Sequence, residues 1–229
     1  MTQVLHSHRL PALPAGLAWR MQGPADLGQV ESVHRRAVEG VPPVVVKHFT
    51  RAFLHGFLAG RGVVPGIETS GGELVGFGLL QHDLLPDDDP RPHLGLSQRP
   101  PLAKLAGAAV LPEKQGEGLQ RLLIRARIAL AEPGKLLFST ASPVNPASWK
   151  SLLSEGFLIR HFEYPYGGLP RFVLVRLPLA DNADIALEYQ DIASEDIPAH
   201  ERALRDGWVG VASSGRPALV RYQRARVTP

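Results

Sequence analysis

Hydrophobic positions along the chain switch between a two-residue and a three-to-four-residue spacing, which predicts strands that alternate with helices. In order, the pattern predicts a strand over residues 17–22, helices over 24–37 and 49–58, strands over 63–69, 73–82 and 102–111, a helix over 117–131, a strand over 135–141, a helix over 146–154, and strands over 156–164 and 171–179. This order predicts an α/β (α+β) fold with a mixed sheet and helices packed on its faces.

Two segments depart from the alternation. Residues 83–101 are rich in Pro and Asp and are too long for a simple connection, as is typical of a functional lid or an insertion. The C-terminal part combines a polar linker over 180–196, a short helix over 200–205 and strand-like runs over 208–213 and 218–224. The sequence therefore predicts a main domain over residues 1–180 and a small C-terminal appendage over 181–229. That appendage could be an independent module, a β-arm or a dimerisation element.

Composition excludes several classes of protein. Of the 229 residues, 44% are hydrophobic and 21% are charged, which indicates a folded globular chain. No apolar run reaches the roughly 18 residues of a membrane span, and we expect a cytoplasmic protein with no membrane partner. The absence of Cys excludes thiolate ligands and a cysteine nucleophile. The basic residues are scattered and His6 and His8 have no third ligand nearby, so we expect no nucleic acid and no metal.

The most informative stretch joins the strand that ends at Leu111-Pro112 to the helix that follows. Gly116 and Gly118 at this junction let the backbone turn tightly and approach a ligand closely, while the first N–H groups of the helix point outward. A turn of this kind binds phosphate. It lacks the Gly-Lys-Ser/Thr of a Walker loop and the GxGxxG spacing of a dinucleotide site.

This turn resembles motif A of the GNAT superfamily of acyl-CoA-dependent N-acetyltransferases. In that motif Val-x-Pro is followed by Gln/Arg-x-x-Gly-x-Gly/Ala at the start of a helix, as in Val110-Leu111-Pro112 and Gln115-Gly116-Glu117-Gly118-Leu119-Gln120. Gln120 departs from the pattern, because a small residue is usual there. The resemblance spans about residues 17–178 and implies a GNAT-like, mostly antiparallel sheet with acetyl-CoA as co-substrate.

A later segment is also similar to this family, which places an Asn after a strand and Gly-Phe at the start of the next strand, eleven residues later. Asn145 and Gly156-Phe157 have that spacing, although Asn145 also suits a helix N-cap followed by Pro146. The resemblance implies that the cofactor contacts are the thioester and pantetheine positions Ala108, Ala109 and Val110, the pyrophosphate positions Gln115, Gly116, Glu117, Gly118, Leu119, Gln120 and Arg121, and the pantetheine positions Asn145 and Ser148.

Direct attack of an amine on the thioester, as the resemblance implies, needs an oxyanion donor, a base and an acid. The backbone N–H of Val110 is the expected oxyanion donor. Glu113, Asp83 and His82 are alternative bases, because the strand over 102–111 carries no acidic residue. The family commonly has a tyrosine acid seven residues after the Asn, where this chain has Leu152, and the substitutes are Tyr164, Ser142 and Ser148.

Three functions remain open at this point. The first is an N-acetyltransferase that acts on an amine of a small molecule or a protein, with a homodimer as a possible assembly. The second is a non-catalytic acyl-CoA-binding sensor or regulatory module, which Leu152 and the unassigned base would suit. The third is an interaction protein that retains only the fold.

Overall fold

A computed structural model of the chain describes residues 10–84, 88–96, 101–176, 187–215 and 218–225. These residues form two compact units that interleave along the chain. The first unit contains the described residues of 10–40, 48–84 and 102–135, and the second contains those of 41–47, 88–101 and 136–225. No helix among the described residues is long and apolar enough to cross a lipid bilayer.

The first unit is an antiparallel arrangement of five strands, one of them only two residues long, with helices packed against it. Its elements are β1 (Leu17–Met21), α1 (Leu27–Val38), α2 (Arg51–Gly56), β2 (Gly62–Val63), β3 (Pro65–Thr69), β4 (Leu74–Gln81), β5 (Leu102–Val110) and α3 (Leu119–Leu130). Antiparallel pairing gives the strand order β1-β3-β4-β5, with the short β2 paired to the far end of β4. The sheet thereby places β5 next to the buried strand β4.

Amphipathic helices explain how the core of the first unit closes. Val30 and Val33 of α1 and Leu123 of α3 are buried against the apolar residues of β3 and β4. All eight residues of β4 are buried, as expected for a strand that is covered on both faces. The core therefore holds β5 and the start of α3 in fixed positions relative to β4.

The second unit contains the remaining strands and three helices. Its elements are β6 (Leu136–Ala141), α4 (Pro146–Ser154), β7 (Leu158–Glu163), the single turn α5 (Pro165–Gly168), β8 (Arg171–Arg176), β9 (Leu187–Ala193), α6 (Ile197–Arg205), β10 (Val209–Ser214) and β11 (Leu219–Ala225). Antiparallel pairing gives the order β6-β8-β7-β10-β11-β9. The C-terminal strands thus continue the sheet that β7 and β8 begin.

Buried aromatic groups fix the C-terminal elements in place. The fully buried ring of His200 on α6 lies 2.9 Å from the hydroxyl of Tyr222 on β11 through its Nδ1, and it meets Phe172 of β8 edge to face. Gly210 of β10 faces Ile159 of β7 so closely that a Cβ at this glycine would contact the Ile159 side chain at 2.8 Å. The first contact requires an apolar neighbour, which is Phe172, and the second requires a residue without a side chain, which is Gly210.

The predicted elements from residue 17 to residue 176 are present, with shifts of a few residues at their ends. The predicted second helix is shorter, because α2 ends at Gly56 and continues as a wider turn over Phe57–Arg61. The expectation of a polar linker over 180–196 is wrong in its second half, where β9 pairs with β11 along seven residues. The predicted domain boundary near residue 180 lies outside the described residues and stays a prediction.

Candidate active site

Strand β5 presents two of its backbone N–H groups on the side opposite β4. The N–H of Leu111 donates to the carbonyl of Val75 at 2.9 Å, and Val110 faces Gly76 in the register. Because N–H groups alternate in direction along an antiparallel pair, the N–H groups of Ala108 and Val110 point away from β4. A bulge between Leu105 and Gly107 bends the strand just before these residues.

A tight turn follows β5 and leads into α3. A 3-10 turn over Pro112–Lys114 comes first, and the chain then passes Gly116 and Gly118, whose φ angles are +85° and +78°. These left-handed conformations are easily adopted only by glycine. A Cβ at either position would meet no other atom within 4 Å, so the space above the turn is open.

Five successive backbone N–H groups, from Gly116 to Gln120, have no acceptor among the described residues. The first internal bonds of α3 run from the N–H groups of Arg121 and Leu122 to the carbonyl of Gly118, at 3.0 and 3.2 Å. The unpaired N–H groups carry the positive end of the helix dipole, an arrangement that can donate hydrogen bonds to an anion. The carbonyl of Val110 accepts a hydrogen bond from Gln115 Nε2 at 3.3 Å, which ties the turn to β5.

A buried arginine links α3 to the bulged part of β5. Arg127 is only 2% exposed, and its guanidinium donates to the carbonyls of Leu123 and Gly107, both at 2.9 Å. Burial lowers its pKa to about 9. Gly78 of β4 leaves the room for this side chain, because a Cβ there would lie 2.8 Å from Arg127 Nε.

The two acidic base candidates of the first unit lie in different places. Glu113 follows Val110 by three residues, so their Cα atoms are at most about 11 Å apart. Its exposed carboxylate pairs with Arg36 at 2.6 Å. A hydrogen bond from its own backbone, and then Arg36, lower its pKa.

Asp83 does not lie near Val110. It follows Gln81, which faces Lys104 at the far end of the β4–β5 pair, and the six residues from Lys104 to Val110 span about 20 Å. Its exposed carboxylate lies 3.9 Å from Arg61. The neighbouring His82, the third candidate, lies at the same far end, and burial lowers its pKa.

In the second unit Asn145 caps α4. Its Oδ1 accepts a hydrogen bond from the N–H of Ser148 at 3.2 Å, and its Nδ2 donates to the carbonyl of Val45 at 3.5 Å. The side chain of Asn145 is therefore already engaged at both ends. Leu152, at the family's tyrosine position, is 3% exposed and packs in the core.

The hydroxyl groups expected to replace the missing tyrosine differ in their surroundings. Tyr164 is half-exposed and donates to Glu201 at 2.7 Å, and this hydrogen bond raises its pKa. Ser142, directly after β6, is 2% exposed, and its hydroxyl has no hydrogen-bond partner among the described residues. Ser142 is thus the free hydroxyl of the two.

Comparison with solved structures places this geometry in a known fold. A structure of histone acetyltransferase HPA2 and related acetyltransferase from Corynebacterium glutamicum matches with a TM-score of 0.54 and 17% identity, over 73% of this chain and 99% of that one. NAA60 from Arabidopsis thaliana, in complex with a bisubstrate analogue, matches with a TM-score of 0.57 and 16% identity, over 70% of this chain and 98% of that one. AAC(6')-Ib in complex with Parmomycin and acetyl-CoA matches with a TM-score of 0.53 and 15% identity, over 70% of this chain and 93% of that one. The chain has the GNAT superfamily fold.

No family model matches the chain, and no curated protein matches it significantly. The assignment to the GNAT fold therefore rests on structure, and it confirms the fold that the sequence and its resemblance predicted. Among the described residues of this GNAT fold, no three His, Asp or Glu side chains are grouped so that they could hold a metal ion.

Two features of the GNAT fold in this chain were missed by sequence reasoning. The first is the buried Arg127, which looked like one more polar position of an amphipathic helix. The second is the buried His34 on α1, whose Nε2 accepts a hydrogen bond from the N–H of Phe49 at 2.8 Å. Neither residue has a sequence signal that separates it from an exposed helical position, because both depend on contacts with distant segments.

Proposed function

We propose that the chain transfers an acetyl group from acetyl-CoA to an amine of a small molecule or protein. The observation that carries this proposal is the row of five unpaired N–H groups from Gly116 to Gln120, at the start of α3 in a GNAT fold. AAC(6')-Ib, which has a similar fold, was solved with acetyl-CoA, and this supports the choice of co-substrate.

The residues of the turn fit a pyrophosphate. Gly116 and Gly118 leave open space in which phosphate oxygens can approach the backbone, and the N–H groups supply charge-assisted hydrogen bonds. Arg121, in the first turn of α3, adds a positive charge. The N–H groups of Ala108 and Val110 that point away from β4 are suited to the amide groups of the pantetheine arm and to the thioester.

The reaction would proceed by direct attack. The amine nitrogen bonds to the thioester carbon, the carbonyl oxygen becomes an oxyanion that accepts a hydrogen bond from Val110 N–H, and the carbon–sulfur bond then breaks. CoA leaves as the thiolate and the amine nitrogen loses a proton. Glu113 is our proposed base, acting through water, because it is the acidic candidate near Val110.

Departure of CoA does not require a tyrosine. A thiol with an ordinary pKa of about 8.5 leaves as thiolate at neutral pH for about 2 kcal/mol. Ser142 and Tyr164 stay predictions for a hydrogen bond to the leaving sulfur; the Ser142 hydroxyl is buried and has no hydrogen-bond partner among the described residues. The hydroxyl of Tyr164 donates a hydrogen bond to Glu201.

Two measurements on the purified protein test the proposal. Calorimetric titration with acetyl-CoA and with CoA should show binding, and mass spectrometry of a panel of amines should show products heavier by one acetyl group. Ser142→Ala should lower kcat and leave acetyl-CoA affinity unchanged. Binding without transfer to any amine would favour the sensor function instead, and no binding at millimolar acetyl-CoA would refute both functions.

A further inference from the structure

A cavity of about 490 Å³ lies along α1 in the first unit and is lined in part by Ser32, His34, Arg35, Val38 and Phe49. The volume is within the usual range for small-molecule sites. One wall of this cavity, which we call the α1 cavity, is in contact with β5: a Cβ at Gly107 would overlap the ring of Phe49. Gly107 precedes Val110 by three residues, so the cavity adjoins the strand proposed to hold the thioester.

His34 brings a buried donor to the α1 cavity. Its ring stacks on Phe49 at 4.7 Å, and its Nε2 accepts the hydrogen bond from the N–H of Phe49. Burial above all, and then His48, lower the pKa of His34 to about 4, so the ring is neutral at pH 7 and its proton sits on Nδ1. This N–H has no acceptor among the described residues, although His34 is only 5% exposed.

Arg35 brings a positive charge to the same cavity. Its guanidinium is exposed, and no carboxylate of the described residues pairs with it, whereas the adjacent Arg36 pairs with Glu113. The acidic residue in the cavity lining, Glu31, is already paired with Arg51. The unsatisfied groups of the α1 cavity are therefore a buried N–H donor and a cation.

We propose that the α1 cavity binds a carboxylate of the acceptor, so that the acceptor is an amine that carries a carboxylate, such as an amino acid. This inference rests on the proposed acetyl transfer. A carboxylate supplies two oxygens, one for His34 Nδ1–H and one for Arg35, and it replaces an unsatisfied buried donor with a charge-assisted hydrogen bond. The apolar walls at Val38 and Phe49 suit a hydrocarbon side chain, and the adjoining β5 places the amine close to the thioester.

The test compares each amino acid with the amine that lacks its carboxylate. Phenylalanine with phenethylamine, leucine with isoamylamine, and lysine with cadaverine form such pairs. We expect kcat/KM for at least one amino acid to exceed that of its decarboxylated partner by about tenfold or more, as for one charge-assisted hydrogen bond. Equal values in all pairs, higher values for the decarboxylated amines, or no acetylation of any pair by a protein that binds acetyl-CoA would overturn the proposal.

Arg35→Gln and Arg36→Gln form a matched pair of variants, because each removes one exposed positive charge from the last turn of α1. Arg35→Gln should reduce the ratio of kcat/KM values for an amino acid and its partner about tenfold, whereas Arg36→Gln should leave this ratio unchanged. Any effect of Arg36→Gln on Glu113 changes both kcat/KM values by the same factor, and it therefore cancels in their ratio. Equal reductions in the two variants would show that the effect is one of overall charge and would refute the site.

Failure of this inference can be separated from failure of the proposed function. Calorimetry with acetyl-CoA tests the cofactor turn alone, and titration of the protein with phenylalanine in the absence of acetyl-CoA tests the α1 cavity alone. Phenylalanine binding that is weakened about tenfold by Arg35→Gln, and not by Arg36→Gln, would support the cavity even if acetyl-CoA did not bind. Acetyl-CoA binding together with equal acetylation of both members of every pair would leave only the acetyltransferase proposal standing.

Discussion

Replacing Gly118 with valine perturbs the proposed pyrophosphate site directly. The φ angle of Gly118 is +78°, and a Cβ at this position would point into open space, which is the space proposed for the phosphate oxygens. The branched side chain would therefore block the backbone N–H groups of the turn. Loss of two or three charge-assisted hydrogen bonds, at about 1.5 kcal/mol each, predicts a fall in acetyl-CoA affinity of at least about a hundredfold.

Gly134→Val is a matched control for the backbone strain. Gly134 lies in the same unit, after α3, has a φ of +81° and also has no atom within 4 Å of a built Cβ. Both substitutions force valine into the left-handed region at a cost of at least about 1 to 2 kcal/mol, which lowers Tm by roughly 2 to 8 °C in a chain of this length. The two variants should therefore lose similar stability, but only Gly118→Val should lose acetyl-CoA binding.

Calorimetry gives the affinity of each variant, and differential scanning calorimetry gives the Tm. If folded Gly118→Val binds acetyl-CoA as tightly as Gly134→Val and the parent, the turn does not hold the pyrophosphate. If both variants lose affinity equally, the loss comes from instability and not from the site. Either result would refute the assignment of the turn.

Three further outcomes are expected from the structure. Leu152→Tyr should destabilise the protein by about 1 to 3 kcal/mol in urea titrations, because the site is 3% exposed; unchanged stability would contradict its place in the core. Burial lowers the pKa of His200 from 6.5 to about 4, so the folded state binds fewer protons in this window, and His200 alone should lower stability by about 2 kcal/mol from pH 7 to pH 5, in addition to a similar contribution from His34. His200→Gln should make stability less dependent on pH in the same urea titrations. An unchanged pH dependence would contradict the assignment of this effect to His200. Gly78→Ala should cost at least about 1 kcal/mol, and much less in an Arg127→Ala background; equal costs in the two backgrounds would show that Gly78 does not make room for Arg127.

The elements nearest the proposed chemistry were the most predictable from sequence. The turn after β5 has a local cause, since two glycines, a preceding proline and an apolar helix determine its backbone. The N-cap role of Asn145 was likewise weighed from the sequence, because Asn followed by Pro146 favours a helix start. In the structure that role occupies the Asn145 side chain, so a contact with pantetheine, which stays a prediction, would involve its backbone.

The features that could not be predicted depend on contacts between distant segments. Residues 187–193 look polar because only one face of β9 is covered, and the strand is defined by its partner β11. The distance between Asp83 and Val110 depends on the register of β4 against β5, which no local pattern specifies. His34 becomes a buried, unsatisfied donor only because Phe49, fifteen residues later, folds back onto it.

Gly107 connects the proposed sites of the first unit. Its carbonyl accepts a hydrogen bond from Arg127, which belongs to the helix that the pyrophosphate turn begins. The ring of Phe49, a wall of the α1 cavity, packs on the face of the same glycine. A larger side chain at Gly107 would have to displace the ring of Phe49, and would thereby change the wall of the proposed acceptor site.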